Sequence, residues 1–121
     1  MININDELAQ FTGTENYYKH WLGNKFVYTD GIKAMAEKFN AYWLVDIPFT
    51  WQSKEKVYRE KFQVWRLESQ EGRAVITMRS DDDKPVIVCQ RIPLTDFPDG
   101  KFKMYYIDDE QNKVLLLPSE Y

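Results

Sequence analysis

The chain's one histidine, His20, and its one cysteine, Cys89, are the first residues to test for chemistry. A histidine acting as general base needs a carboxylate to orient it. Glu15, Asp30 or Asp46 would supply one once the chain is folded. The dipeptide Thr-Asp occurs twice, in YTDG (28–31) and in LTDFPDG (94–100). If these turns met, Asp30 and Asp96 would form a carboxylate pair with displaced pKa values, a common signature of a functional site. His20, Asp30 and Asp96 are therefore the catalytic candidates, suited to a small hydrolase or transferase. The competing structural reading is stronger for each. His20 would edge a helix, Thr29 would cap one through its side-chain oxygen, and Thr95-Asp96 would shape a turn through side chain to backbone bonds.

Other chemistry finds less support. One histidine and one cysteine cannot assemble an ordinary zinc site. Asp81-Asp82-Asp83 lacks the spacing of a calcium loop and reads as a solvated hairpin tip. Cys89 sits in the apolar run PVIVCQ, where a thiol stays protonated. There is no G-x-S-x-G turn and no glycine-rich phosphate loop, so no metal and no cofactor is expected.

Aromatic residues make up 16% of the chain, and they cluster early. Tyr17, Trp21, Phe26, Tyr28, Tyr42 and Trp43 would either pack a small core or line a concave site for a planar ligand. Packing is the commoner use, and Tyr17, Tyr28 and Trp43 are the ligand-binding candidates on the second reading.

Charge narrows the partners. The formal net charge is −3, and residues 1–61 carry eight basic and eight acidic groups against eight and eleven in residues 62–121. Neither half is a basic module, so nucleic acid is not the favoured partner, although charges can still segregate by face. The stretch SKEKVYREK (53–61) would place Lys54, Lys56, Arg59 and Lys61 near a nucleic-acid backbone, but Glu55 and Glu60 cancel half its charge. A lone cysteine, no apolar run of membrane-spanning length and no signal-like start together suggest a soluble, cytoplasmic protein.

These residues must be positioned by two regions of different texture. From the start to about residue 52 the pattern is helical. Asn5 and Asp6 would cap a short turn; Thr14-Glu15 would open a helix over ENYYKHWL that stops at Gly23; Thr29-Asp30 would open another that stops at Asn40. In this last one, Ile32, Met35, Ala36 and Phe39 form an apolar stripe. AYWLVDIPFTWQ reads as a buried helix in preference to a strand, with Pro48 at a break. From about residue 56 to 118 the period becomes two, in KFQVWRLE, RAVITMRS, VIVCQRI, KFKMYYI and KVLLLP. The expectation is one α+β domain over residues 1–121: short N-terminal helices packed on a C-terminal antiparallel meander of four to five strands.

FTGTENYYKHWL, YTDGIKAMAEKFNAYWLVD, LTDFPDG and the closing LLLPSEY, taken in order, resemble a family of small uncharacterised bacterial, plasmid and phage proteins known as a domain of unknown function. The likeness spans nearly the whole chain; Pro48 departs from the family pattern. It implies a single cytosolic domain associated with mobile elements and brings no catalytic residues. The functional expectation is a non-enzymatic interaction protein of a bacterium or phage. It would block a host defence protein or sequester a small planar ligand, and it could act as a homodimer.

Overall fold

The computed structural model describes residues 1–121. A single sheet of seven strands organises the molecule: β1 (Tyr17–Lys19), β2 (Phe26–Thr29), β3 (Phe62–Gln70), β4 (Arg73–Arg79), β5 (Val86–Ile92), β6 (Gly100–Asp108) and β7 (Lys113–Leu116). Their spatial order is β1-β2-β7-β6-β3-β4-β5, antiparallel except where β2 runs parallel to β7. The α+β expectation holds in outline, but the strand count and the simple meander do not. The N-terminal half contributes two strands, and the last strand inserts between them and the rest.

The expected helix over ENYYKHWL is the main correction. Residues 17–19 form a strand instead, pairing Tyr18 with Tyr28 and Lys19 with Val27. A helix would have to satisfy its first N–H groups locally. Here the N–H groups of Glu15 and Asn16 point to the Asp30 carboxylate, each at 3.1 Å. That anchor holds the chain extended, and cross-strand aromatic contact replaces helical propensity.

The later helical expectations fare better. α1 (Asp30–Lys38) begins at the Thr29 cap and buries Ile32, Met35 and Ala36. Asn40 leaves it in the left-handed region at φ 51°. α2 (Tyr42–Thr50) is the buried helix anticipated for AYWLVDIPFTWQ. Pro48 lies inside it without breaking it, and the chain tightens into a 3₁₀ turn at Trp51–Ser53. A four-residue helix, α3 (Glu55–Tyr58), then leads into β3.

The helices cover one face of the sheet, where Trp65, Leu67, Ile76, Met78, Phe102, Met104, Tyr106 and Leu115 are buried against Met35, Leu44 and Phe49. Polar groups inside this core are matched. Gln52 and Gln63 exchange side-chain amide bonds at 2.9 and 3.0 Å, and the Trp65 indole N–H donates to Gln63 Oε1. No buried side-chain nitrogen or oxygen is left without a partner, as a low-dielectric interior requires.

The N-terminal segment extends the sheet. Asn5 brackets Lys103, accepting its N–H at 2.7 Å and donating to its carbonyl at 2.9 Å. Lys101 N–H donates to the Ile2 carbonyl. Gly100 permits this approach, since a Cβ there would lie 2.6 Å from the Ile2 carbonyl oxygen. The segment thereby pairs with β6 where β7 no longer reaches.

Candidate functional site

The sequence motifs converge on the N-terminus of α1. Asp30 is the centre. Its Oδ2 accepts the N–H groups of Glu15 and Asn16, and its Oδ1 accepts the Tyr18 hydroxyl at 2.8 Å. The Tyr18 bond, then the two backbone N–H groups, outweigh partial burial and hold the Asp30 carboxyl below its ordinary range. The same bond leads the causes that raise the Tyr18 hydroxyl. Thr14 completes the knot by accepting the Asp30 N–H and donating to the Asn16 carbonyl.

From the other side comes Glu120. Its Oε1 accepts the Thr29 hydroxyl at 2.6 Å and the Leu117 N–H at 2.9 Å, and its Oε2 accepts the Gly31 N–H at 3.0 Å. A carboxylate at a helix N-terminus meets unpaired N–H groups and the positive end of the helix dipole. Gly31 is required by closeness: a Cβ there would stand 2.6 Å from both Glu120 Oε1 and Leu117 Cδ1. FTGTENYY, YTDG and LPSEY thus encode one clamp.

Beside the clamp lies a polar cleft of about 690 Å³ walled by the Gln10–Asn16 loop with Tyr18, Asp30, Lys33 and Glu37. The Lys33 ammonium sits 4.5 Å from the Tyr18 ring centre, a cation–π contact. The cleft is wide and shallow, and Asp30, its central acid, is fully engaged by its own loop.

His20 lies under a different surface. Its Nε2 is 2.7 Å from Asp46 Oδ1, and its Nδ1 accepts the Leu22 N–H at 3.2 Å. These bonds assign the ring proton to Nε2. The ring packs on Phe49 at 4.6 Å, and Phe49 continues to Phe26 and Tyr106. Asp46, one of the carboxylates expected to serve it, does orient His20, yet neither nitrogen is left to take a substrate proton. Above this pair Trp21 is 76% exposed while its indole N–H donates to the same Asp46 oxygen at 3.2 Å. Exposed Tyr42 lies one helical turn before Asp46, and half-buried Tyr28 stands edge-on to His20 at 6.3 Å.

The candidates named from sequence do not share one site. His20 and Asp30 belong to separate hydrogen-bonded groups. Asp96 lies in the β5–β6 connection, bordering a depression with Trp43, Ile92, Leu94 and Thr95. Tyr17, Tyr28 and Trp43 are likewise dispersed. Tyr17 faces away from the helices, beside Val27, Asp109, Asn112 and Val114, whereas Tyr28 lies near His20 and Trp43 packs against Phe97 at 6.3 Å. Strand alternation separates Tyr17 from Tyr18, and the turn of α2 separates Trp43 from Tyr42. Sequence reasoning gave Glu120 no role. Its signal was Glu120 in LPSEY together with the helix-opening YTDG, which only the fold brings into contact. No group of three or more His, Cys, Asp or Glu residues is arranged to hold a metal, and no helix is long and apolar enough to cross a membrane.

No curated protein matches the chain. A solved structure does: the crystal structure of a protein of unknown function from Enterococcus faecalis, with a TM-score of 0.56 and 14% identity, covering 85% of this chain and 97% of that one. At that identity the likeness establishes a shared fold alone. The family model described as a family of unknown function, DUF6876, matches residues 2–121, and the chain belongs to that family.

Proposed function

We propose that this protein is a non-enzymatic interaction protein that recognises a protein partner through Trp21, Leu22 and Tyr42. The observation that carries this is Trp21. A large aromatic ring is held out in solvent, 76% exposed, by an indole hydrogen bond to Asp46 that is itself backed by buried His20. An anchor fixed before binding loses little side-chain entropy when it docks, which favours such residues as interface hot spots. In a bacterium or phage the partner would be a host protein, and an anti-defence role is one form this would take. The small hydrolase or transferase reading is weaker, because the imidazole that would act as base already uses both nitrogens.

A photo-reactive benzoylphenylalanine at Tyr42, irradiated in bacterial lysate, tests the proposal. One discrete adduct is expected, abolished by Trp21→Ala and unaffected by Val75→Ala, at an exposed position on the face of the sheet opposite the helices. No discrete adduct, or an adduct indifferent to Trp21, refutes it. An adduct between two copies would make the partner a second molecule of the protein itself.

A further inference from the structure

The face of the sheet opposite the helices gathers most of the basic side chains of the second half of the chain. Pairing places Arg66 between Thr77 and Lys103, Glu68 between Val75 and Lys101, and Arg91 beside Val75. Arg73 and Arg79 share this face by strand alternation. Of the eight basic residues in the second half of the chain, only Lys84 and Lys113 lie off it. Glu68 is the one carboxylate that the strands themselves set among these cations, although the molecule as a whole is acidic. A near-even count along the sequence therefore conceals segregation by face.

At the centre is a groove of about 380 Å³ whose polar lining is Arg66, Lys101, Lys103, Asn3, Asn5 and the one carboxylate Glu68. An acidic side chain already engages two of its cations. Asp82, carried on the tip of the β4–β5 hairpin with exposed Asp81 and Asp83, ion-pairs with Arg66 and, at 3.2 Å, with Lys103. Its carboxylate occupies the position in which these cations would hold a phosphate oxygen. Next along β6, Tyr105 has its ring 5.7 Å from the Lys103 ammonium. Tyr121 packs edge-on to Tyr105 at 5.5 Å and to Phe62 at 5.8 Å, and remains 73% exposed.

We propose that this face binds single-stranded nucleic acid, with a phosphate displacing Asp82 from Arg66 and Lys103 and a base stacking on Tyr121. Cations that hold the backbone beside exposed aromatic rings that accept bases are the working parts of sequence-tolerant single-strand recognition. The acidic hairpin tip is an internal competitor that limits affinity. This surface is remote from Trp21 and does not depend on the role proposed for that residue.

Fluorescence anisotropy with a fluorescein-labelled oligothymidylate at low salt tests the inference. Binding is expected, with a log–log salt slope near −2, the value for about three phosphate contacts on a single strand. Asp82→Asn should tighten binding several-fold, a gain that a misfolded variant cannot produce. Arg66→Gln with Lys103→Gln should weaken it at least tenfold. Tyr121→Ala should weaken it about fivefold or more, the loss of one stacked base. Lys54→Gln with Lys56→Gln, at the start of α3, should leave it unchanged. The proposal is overturned if neither wild type nor Asp82→Asn binds, if the α3 pair matters as much as the groove pair, or if duplex DNA or polyglutamate competes equally well.

Discussion

Replacing Glu120 by alanine should destabilise the fold out of proportion to its place near the end of the sequence. Its carboxylate serves three donors: the Thr29 hydroxyl and the N–H groups of Gly31 and Leu117. All three donor residues are buried, so water cannot readily replace the lost acceptor. An unsatisfied buried donor costs about 1 kcal/mol at the low end, giving about 3 kcal/mol for the set. For a domain of 121 residues the unfolding entropy converts each kcal/mol into about 4 °C, so the melting temperature should fall by about 12 °C. Circular dichroism melts and urea titration would measure it. Glu120→Gln retains one acceptor oxygen but turns an amide toward the helix N-terminus, and should lose about half as much. A double-mutant cycle with Thr29→Val should give a coupling of about 1 kcal/mol, with the separate Thr29 cap on Ile32 subtracted by the cycle. A loss below about 3 °C for Glu120→Ala, or zero coupling, would refute the clamp.

Further outcomes follow from the same geometry. Gly31→Ala should destabilise by about 2 kcal/mol in urea titration even though alanine is the better helix former, because its Cβ collides with Glu120 and Leu117. Gly13→Ala, with nothing within 4 Å of the added Cβ, should leave the urea midpoint nearly unchanged. Asp30, Asp82 and Asp108 all have carboxyls held below their ordinary pKa. For Asp82 and Asp108 burial opposes ionisation, but hydrogen bonds and nearby cations, Lys103 and Arg66 for the first and Lys61 and Lys113 for the second, prevail. Their contribution is present above the unfolded-state pKa and is lost as pH falls through the lower folded values, so melts from neutral to acidic pH should decline below about pH 4, less steeply in Asp30→Asn. Nitrogen-resolved NMR of His20 in its neutral form should show the proton on Nε2; an Nδ1–H tautomer would contradict the Leu22 hydrogen bond.

Legibility from sequence followed the range of the interactions. The α1 stripe of Ile32, Met35 and Ala36 and the Thr29 cap are local, and both were readable. So was the period-two pattern of β3 through β6. What stayed hidden was decided by residues far apart. ENYYKHWL has helical punctuation, yet a carboxylate fourteen or fifteen positions later claims the N–H groups of Glu15 and Asn16. Cys89, expected in an apolar interior, is exposed because its pairing with Thr77 puts it on the sheet face that the helices leave uncovered, whereas its neighbour Val88 faces the core. The site candidates dispersed for a related reason: neighbours such as Tyr17 and Tyr18, or Tyr42 and Trp43, point in different directions once the element type is set.

The position of β7 has a consequence for synthesis. The last strand to be made lies in the middle of the sheet, between β2 and β6. Until residues 113–116 clear the ribosome, the β1–β2 pair and the four-strand unit of β3 to β6 have no strand to join them. Both would present open edges that other chains can pair with. The domain therefore closes late, and its vulnerability to aggregation should be greatest in released chains truncated just before residue 113, although these contain most of the core residues.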